Sequence, residues 1–188
     1  VSGDTGIALS VEGLGGSGFA DVSFSVSRGE ILGFGGLHGQ GQSSVLRAIF
    51  GAAPHASGSI AVRGEAFAAA NPRQAIARGV AYVSGDRGRD GIVQGRPILE
   101  NVTPIHFLRN RLRLVRPAAL QQKAAGPLDA LKTKFQTIDH PINSLSGGNQ
   151  QKVVIARWLI DRPDVLLLDD PTKGIDLQAK SDLFALIR

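Results

Sequence analysis

The sequence predicts an α/β fold whose buried strands present a binding site at their C-terminal ends. Three stretches point there. Val165-Leu166-Leu167-Leu168 is a pure aliphatic run that closes on Asp169-Asp170. Such a run reads as a buried parallel strand, and open α/β sheets bind ligands where those strands end. Ile31 to Phe34 is a second apolar run, read as another buried strand, and it opens onto Gly36-Leu37-His38-Gly39-Gln40-Gly41-Gln42-Ser43-Ser44. The third stretch is Leu145-Ser146-Gly147-Gly148-Asn149-Gln150-Gln151-Lys152, ahead of a helix predicted over Gln150 to Ile160. Uncovered N–H groups at a helix N-terminus favour an anion, through the dipole and the orphan donors together. An ordinary serine cap after a glycine turn would leave the same pattern.

The remaining elements follow in order. Ile7 to Val11 is a short strand, and the glycine- and serine-rich Gly13 to Gly18 is a loop. Val22 to Val26 alternates apolar and polar, as a half-buried strand does. Ser44 to Phe50 is a helix stopped by Gly51, Ala52 to Gly58 a loop, and Gly58 to Gly64 another alternating strand. Asn71-Pro72 opens a helix, with asparagine as cap and proline first, and Gly79 closes it. Val80 to Val83 is a buried strand, followed by the charged loop Ser84-Gly85-Asp86-Arg87-Gly88-Arg89-Asp90-Gly91. From Ile92 to Ser144 prolines punctuate short helices, best at Leu99–Leu108 and Pro117–Leu131, and Leu177 to Arg188 reads as a last helix.

Composition narrows the chemistry. A chain of 188 residues suits one domain, or one domain with a subdomain. No apolar run reaches the roughly eighteen residues of a membrane span, and no secretory leader is visible. The absence of Cys excludes disulfides, thiolate metal sites and a cysteine nucleophile. His38, His55, His106 and His140 are too scattered for a metal site. The net charge of +5 is spread along the chain. Its modest cluster at Arg109, Arg111, Arg113 and Arg116 reads as a solvated helix face. One Trp and one Tyr provide no platform for stacking bases. With Val1 first and a helix interrupted at Arg188, the sequence is expected to be part of a longer chain.

The loop after Phe34 has the frame of a phosphate loop. Gly36, Gly39 and Gly41 let the backbone curl its N–H groups toward a phosphate. Ser43 stands where a hydroxyl ligates Mg²⁺. Gln42 stands where lysine is usual, so a neutral amide replaces a full charge. Charge-assisted hydrogen bonds are roughly twice as strong as neutral ones, and losing one preorganised donor costs about 10²–10³ in rate. Weak nucleotide binding and poor hydrolysis are therefore expected. A glycine turn that binds nothing is the bland alternative.

A phosphate loop, then Leu-Ser-Gly-Gly, then an aliphatic strand ending in Asp resembles the nucleotide-binding domain of ATP-binding cassette (ABC) transporters. The resemblance covers essentially the whole chain. It implies a phosphate-loop NTPase (RecA-like) core with a small antiparallel β subdomain and an inserted α-helical subdomain. On that pattern residues 1–91 are the first part of the core with the β subdomain, 92–144 the helical subdomain, and 145–188 the signature helix with the rest of the core. The family's histidine loop would fall beyond Arg188. ATP and Mg²⁺ are the cofactors implied. Phe19, the one aromatic in the loop upstream, is the candidate to stack on adenine, or else it packs under the small sheet. Gly36, Gly39, Gly41, Gln42, Ser43 and Ser44 would bind nucleotide, and Ser43 and Asp169 would hold Mg²⁺, the latter through water. Ser146, Gly147, Gly148 and Gln150 match the signature, and Asp176 the aspartate of the loop that touches an opposite subunit.

Three positions depart from the family. Gln42 replaces the lysine, and Gly85 falls where a glutamine is usual. Asp170 stands in the place of the catalytic glutamate. A carboxylate one bond shorter reaches about 1.5 Å less far, and misplacement on that scale costs about 10²-fold. Asp86, Arg87, Arg89, Asp90 and Gly91 resemble the second cassette of tandem carbohydrate-importer ATPases. This implies a degenerate cassette, weak or inactive alone, that supplies its signature in trans to a competent first cassette of the same polypeptide. The implied partners are permease subunits and, indirectly, a periplasmic sugar-binding protein, with no nucleic acid. The implied address is the cytoplasmic face of the plasma membrane. The alternatives are a non-transport ABC ATPase acting on nucleic acid or the ribosome, which only the basic charge supports, and a nucleotide-binding regulator without hydrolysis.

Overall fold

The computed structural model describes residues 6–185 apart from 38, 111–115, 174, 176–179 and 182. The chain divides into two compact units. One holds the chain up to Tyr82 together with Asp164–Asp169; the other holds Val83–Pro163 and the chain from Asp170 onward.

The first unit is built on an antiparallel sheet of order β2-β1-β3-β4, from β1 (Ile7–Gly16), β2 (Phe19–Ser27), β3 (His55–Val62) and β4 (Glu65–Ala66). Its alternating apolar residues make one face: Leu9, Val11, Leu14, Ile60 and Val62 are buried, while β2 alternates half-buried with exposed positions. The loop expected over Gly13–Gly18 is mostly strand. β1 runs to Gly16 because β2 and β3 pair with it on both sides, and register shifts between Val11, Leu14 and Gly16 absorb its irregular residues. Only Ser17 and Gly18 form the turn. For the same reason β3 starts at His55 rather than at Gly58.

Helix α1 (Gln42–Ile49) begins two residues ahead of its predicted start and buries Val45, Leu46, Ala48 and Ile49. Helix α2 (Pro72–Ala77) forms as its sequence prescribes. Asn71 is the cap, its side chain accepting from the Gln74 N–H, and Pro72 is first. Gly79 then takes φ +81°, where L side chains are strained. Its carbonyl accepts from Asp164 N–H at 2.8 Å, which sets the start of β6 (Val165–Leu168) beside the start of β5 (Val80–Val83). β5 is buried at all four positions, but in β6 only Leu167 is.

The sequence also assigned a buried strand to Ile31–Phe34, and there the structure differs. Residues 31–35 are not in a strand. Ile31, Leu32 and Phe34 are 62%, 40% and 41% exposed. A strand exists only when neighbours take up its N–H and C=O groups, and among the described residues β5 and β6 pair only with each other. The apolar content of the run was legible; the partner it would need was not.

The second unit is helical. It holds α3 (Ile98–Val102), α4 (Pro104–Arg109), α5 (Pro117–Ala130) and α6 (Gly147–Leu159), with a π-helical turn at Arg87–Gly91 and a 3₁₀ turn at Ile142–Ser144. α6 is the hub. Val153, Val154, Ile155, Ala156 and Trp158 are buried, and the helix packs on α3, α4 and α5. It therefore groups with these helices in one compact unit. It starts at Gly147, not Gln150, because the first turn of a helix makes no backward hydrogen bonds and tolerates glycine there. Among the described residues no helix is long and apolar enough to cross a membrane.

Candidate nucleotide-binding site

In the first unit the glycine-rich loop joins residues 31–35 to α1. Gly36, Gly39 and Gly41 all have positive φ. Gly41 is the tightest position: a Cβ there would lie 2.5 Å from the Gly18 carbonyl oxygen and 3.3 Å from Phe19 Cβ. The β1–β2 turn thus rests directly on the loop. Phe19 is half-buried, and its ring lies so close over Gly16 that a Cβ on that glycine would approach it to 2.8 Å. Phe19 therefore packs on the small sheet at the border of the loop, in reach of both roles left open for it.

Two glutamines span the loop. Gln40 Oε1 accepts from the Leu37 N–H at 3.1 Å. Gln42 Nε2 donates to the Leu37 carbonyl at 3.2 Å, and it lies 2.5 Å from where a Gly36 Cβ would be. The Gln42 amide thus fills the inner curve of the loop and is already hydrogen-bonded there. His38, in the same loop, lies outside the described residues.

The loop meets β6 through its serine. Ser43 Oγ donates to Asp169 Oδ1 at 2.6 Å. The other carboxylate oxygen accepts from the Tyr82 hydroxyl at 2.8 Å. Tyr82, next to last in β5, is 7% exposed and stacks on Phe50, with centroids 5.2 Å apart. Strand and helix together therefore aim one carboxylate at the loop's hydroxyl. A hydroxyl and a carboxylate side by side are hard-oxygen donors of the kind Mg²⁺ accepts. These two residues fit that ion, while the Gln42 amide offers nothing comparable to a lysine for phosphate. Ser44, in the first turn of α1, is half-buried at the foot of the Gly18 turn, its hydroxyl 3.9 Å from the place of a Gly18 Cβ.

The second unit carries the other candidate residues. Asp170 is exposed and takes φ +45°, a left-handed conformation aspartate tolerates better than most residues; its carbonyl accepts from Lys173 N–H. Asp176 lies outside the described residues. Gly85 precedes the π-helical turn, which is held by side chains: Asp86 caps it by accepting from Arg89 N–H at 3.1 Å. Ser84 Oγ donates to Asp90 Oδ2 at 2.8 Å, and Arg89 pairs with the same carboxylate through Nε at 2.8 Å. Gly91 tucks against Val154 of α6.

At the start of α6, Ser146 caps the helix by accepting from Asn149 N–H. Gly147 and Gly148 are its first residues. Gln150 turns away from the cap, its Nε2 donating to the carbonyls of Leu145 at 3.1 Å and Ile142 at 3.4 Å, so it staples the 3₁₀ turn to the helix. Deeper in α6, Arg157 is 9% exposed. Its Nε donates to the Asn101 carbonyl at 2.6 Å, its Nη2 has no partner, and burial pushes its guanidinium down to about 10.

Sequence reasoning missed Tyr82, Gln40 and Asn149. The lone tyrosine in an otherwise aliphatic buried strand was a usable signal, because a buried hydroxyl needs a partner.

A phosphate loop opening a helix, its serine bonded to an aspartate at a strand end, defines a nucleotide-binding protein of the phosphate-loop NTPase class. The chain belongs to the ABC transporter family, whose model matches residues 19–173. It is 45% identical over 169 residues to a ribose import ATP-binding protein, RbsA 3, of Rhizobium meliloti (strain 1021), covering 89% of this chain and 34% of the relative. It is 44% identical over 170 residues to the ribose import ATP-binding protein RbsA of Jannaschia sp. (strain CCS1), covering 90% of this chain and 33% of the relative. The chain thus spans about a third of the length of these relatives. Among solved structures it is similar to the dimeric MJ0796, a bacterial ABC transporter cassette, with a TM-score of 0.81, 20% identity, and coverage of 95% and 81% of the two chains. That likeness speaks for the fold.

Proposed function

We propose that this chain is an ATP-binding cassette of a sugar importer, coupling ATP binding and hydrolysis to carbohydrate uptake at the cytoplasmic face of the membrane. Within it the chain is the degenerate member of a cassette pair. Its partners are a competent cassette, which the length of the relatives leaves room for in the same polypeptide, and the permease subunits. ATP with Mg²⁺ is the ligand, in keeping with MJ0796, one structure of which is a dimer with ADP and phosphate. Ribose or a related sugar is the cargo, because the relatives are ribose import ATP-binding proteins.

One contrast carries the reading. Gln42 closes the phosphate loop on itself through the Leu37 carbonyl, while at the capped N-terminus of α6 Ser146 is exposed and Gly147 half-buried, with Gly148 buried. In this reading Phe19 flanks the base, and Gly36, Gly39, Gly41, Ser43 and Ser44 hold a weakly bound nucleotide. Ser43 and Asp169 hold Mg²⁺, which would neutralise phosphate charge. Asp170 is a poor substitute for the water-polarising glutamate. The chain's larger contribution is Ser146, Gly147 and Gly148, with Gln150 bracing them, presented to the nucleotide of the partner cassette, and Asp176 meeting the same partner. The test is ATP turnover by the assembled transporter carrying Ser146→Arg. Turnover should be abolished, because a bulky cation replaces a small donor at the shared site. Unchanged turnover would defeat the proposal.

A further inference from the structure

We propose that Asn149 is a positioning residue that points the Ser146 hydroxyl at the partner's nucleotide; the inference rests on the trans-signature reading above. A hydroxyl oxygen carries two acceptor lone pairs and one donor hydrogen. In Ser146 both acceptor sites are taken by Asn149: its N–H donates to Oγ at 3.4 Å and its Nδ2 at 3.1 Å. The hydrogen of Ser146 is thereby left to donate to something outside. Asn149 cannot turn to release it, because its Oδ1 accepts from the Lys134 N–H at 2.9 Å. The asparagine is a clamp. One end is anchored on the 133–136 segment and the other fixes the direction of a single hydroxyl.

That hydroxyl opens on a cleft of about 490 Å³ lined by Lys134, Phe135, Gln136, His140, Ser146 and Asn149 among others, none of them acidic. The group it can receive is an acceptor-rich anion with no donor of its own to offer Ser146, the terminal phosphate of a nucleoside triphosphate. A carboxylate at 149 would undo the arrangement. It would still accept from Lys134 N–H, but it could not donate to Ser146 Oγ. It would accept the hydroxyl's hydrogen bond itself and face the phosphate with negative charge.

The test is ATPase kinetics of the assembled transporter with Asn149→Asp, Asn149→Ala, Ser146→Ala and the double alanine variant, each with a melting temperature. An acid in the first turn of a helix complements the dipole, so Asn149→Asp should keep or raise the melting temperature, whereas a merely structural role would lower it. Its kcat/KM for ATP should fall about 10- to 100-fold, the range for a hydrogen bond to a charged group. The losses of Asn149→Ala and Ser146→Ala should not multiply, because both act through one hydroxyl. Activity of Asn149→Asp within twofold of the unaltered transporter, or multiplicative alanine losses, would overturn the role of Asn149 alone. A Ser146→Ala transporter with full activity would overturn the trans-signature reading as well.

Discussion

Replacing Gln42 by lysine is the perturbation that bears most directly on the phosphate loop. In the unaltered chain the Gln42 amide donates to the Leu37 carbonyl at 3.2 Å. A phosphate entering the loop must displace that bond, worth about 0.5–1.5 kcal/mol net. What the amide then offers is one neutral hydrogen bond of about the same size, so the exchange gains almost nothing. A lysine offers the phosphate a charge-assisted bond of about 1.5–3 kcal/mol, both partners being charged, where the amide offers a neutral one. The difference, about 1–2 kcal/mol, is a gain of roughly 5- to 30-fold in Mg-ATP affinity. Calorimetric titration of Mg-ATP into the unaltered chain and Gln42→Lys reads it directly. The lysine variant should also show the steeper loss of affinity with added salt, because only it carries a screened charge. Equal affinities at low salt, or tight binding by the unaltered chain, would refute the reasoning and make the glutamine loop a full nucleotide site.

Two further predictions follow from bonds the sequence did not disclose. Tyr82→Phe removes the hydroxyl that holds Asp169 Oδ2 at 2.8 Å; it should destabilise the chain by about 1–2 kcal/mol in urea unfolding and raise the Mg²⁺ concentration needed for nucleotide binding. Arg157→Met removes a guanidinium that burial pushes down to about 10, a penalty of about 3 kcal/mol, and gives up its charge-assisted bond to the Asn101 carbonyl, worth about 1.5–3 kcal/mol. It should therefore raise stability by up to about 1.5 kcal/mol, or up to some 6 °C in Tm. The cation is charged in both folded and unfolded chains below pH 10, so the gain should be constant from pH 6 to 9 and shrink only as pH rises through about 10. A loss of stability at neutral pH would refute it.

Local chemistry was the legible part of this chain. Asn71-Pro72, the β5 run Val80–Val83 and the Ser146 cap were all readable, because a cap, a proline and a short aliphatic run act within a few residues of themselves. What depended on distant partners was not. Gly13–Gly16 looks like loop until β2 and β3 flank it, and Ile31–Phe34 looks like a buried strand until its pairing is sought. In the candidate site the loop glycines and Asp169 could be named from spacing. That Tyr82 fixes Asp169, and that Asn149 rather than Gln150 lines the cleft beside Ser146, follows only from side-chain directions.

The two halves of the chemistry differ in how their hydrogen-bond donors are committed. In the loop, Gln42 donates to Leu37 and Ser43 donates to Asp169, so these two side-chain donors are spent inside the protein. A ligand there must compete for each of them, and lysine's charge, which would win that competition, is missing. At the start of α6 the accounting is reversed. Ser146 accepts twice, keeps its hydrogen, and stands over a cleft lined by Lys134 and His140 without a carboxylate. A ligand there competes with water alone. Two sites with opposite commitments in one chain are what a division of labour between paired cassettes requires: one nucleotide position tuned to hold weakly, and one donor array kept open for a nucleotide that another cassette binds. If that division holds, Gln42→Lys should change the affinity of this chain for nucleotide with little effect on turnover at the partner's site, and Ser146→Ala should do the reverse.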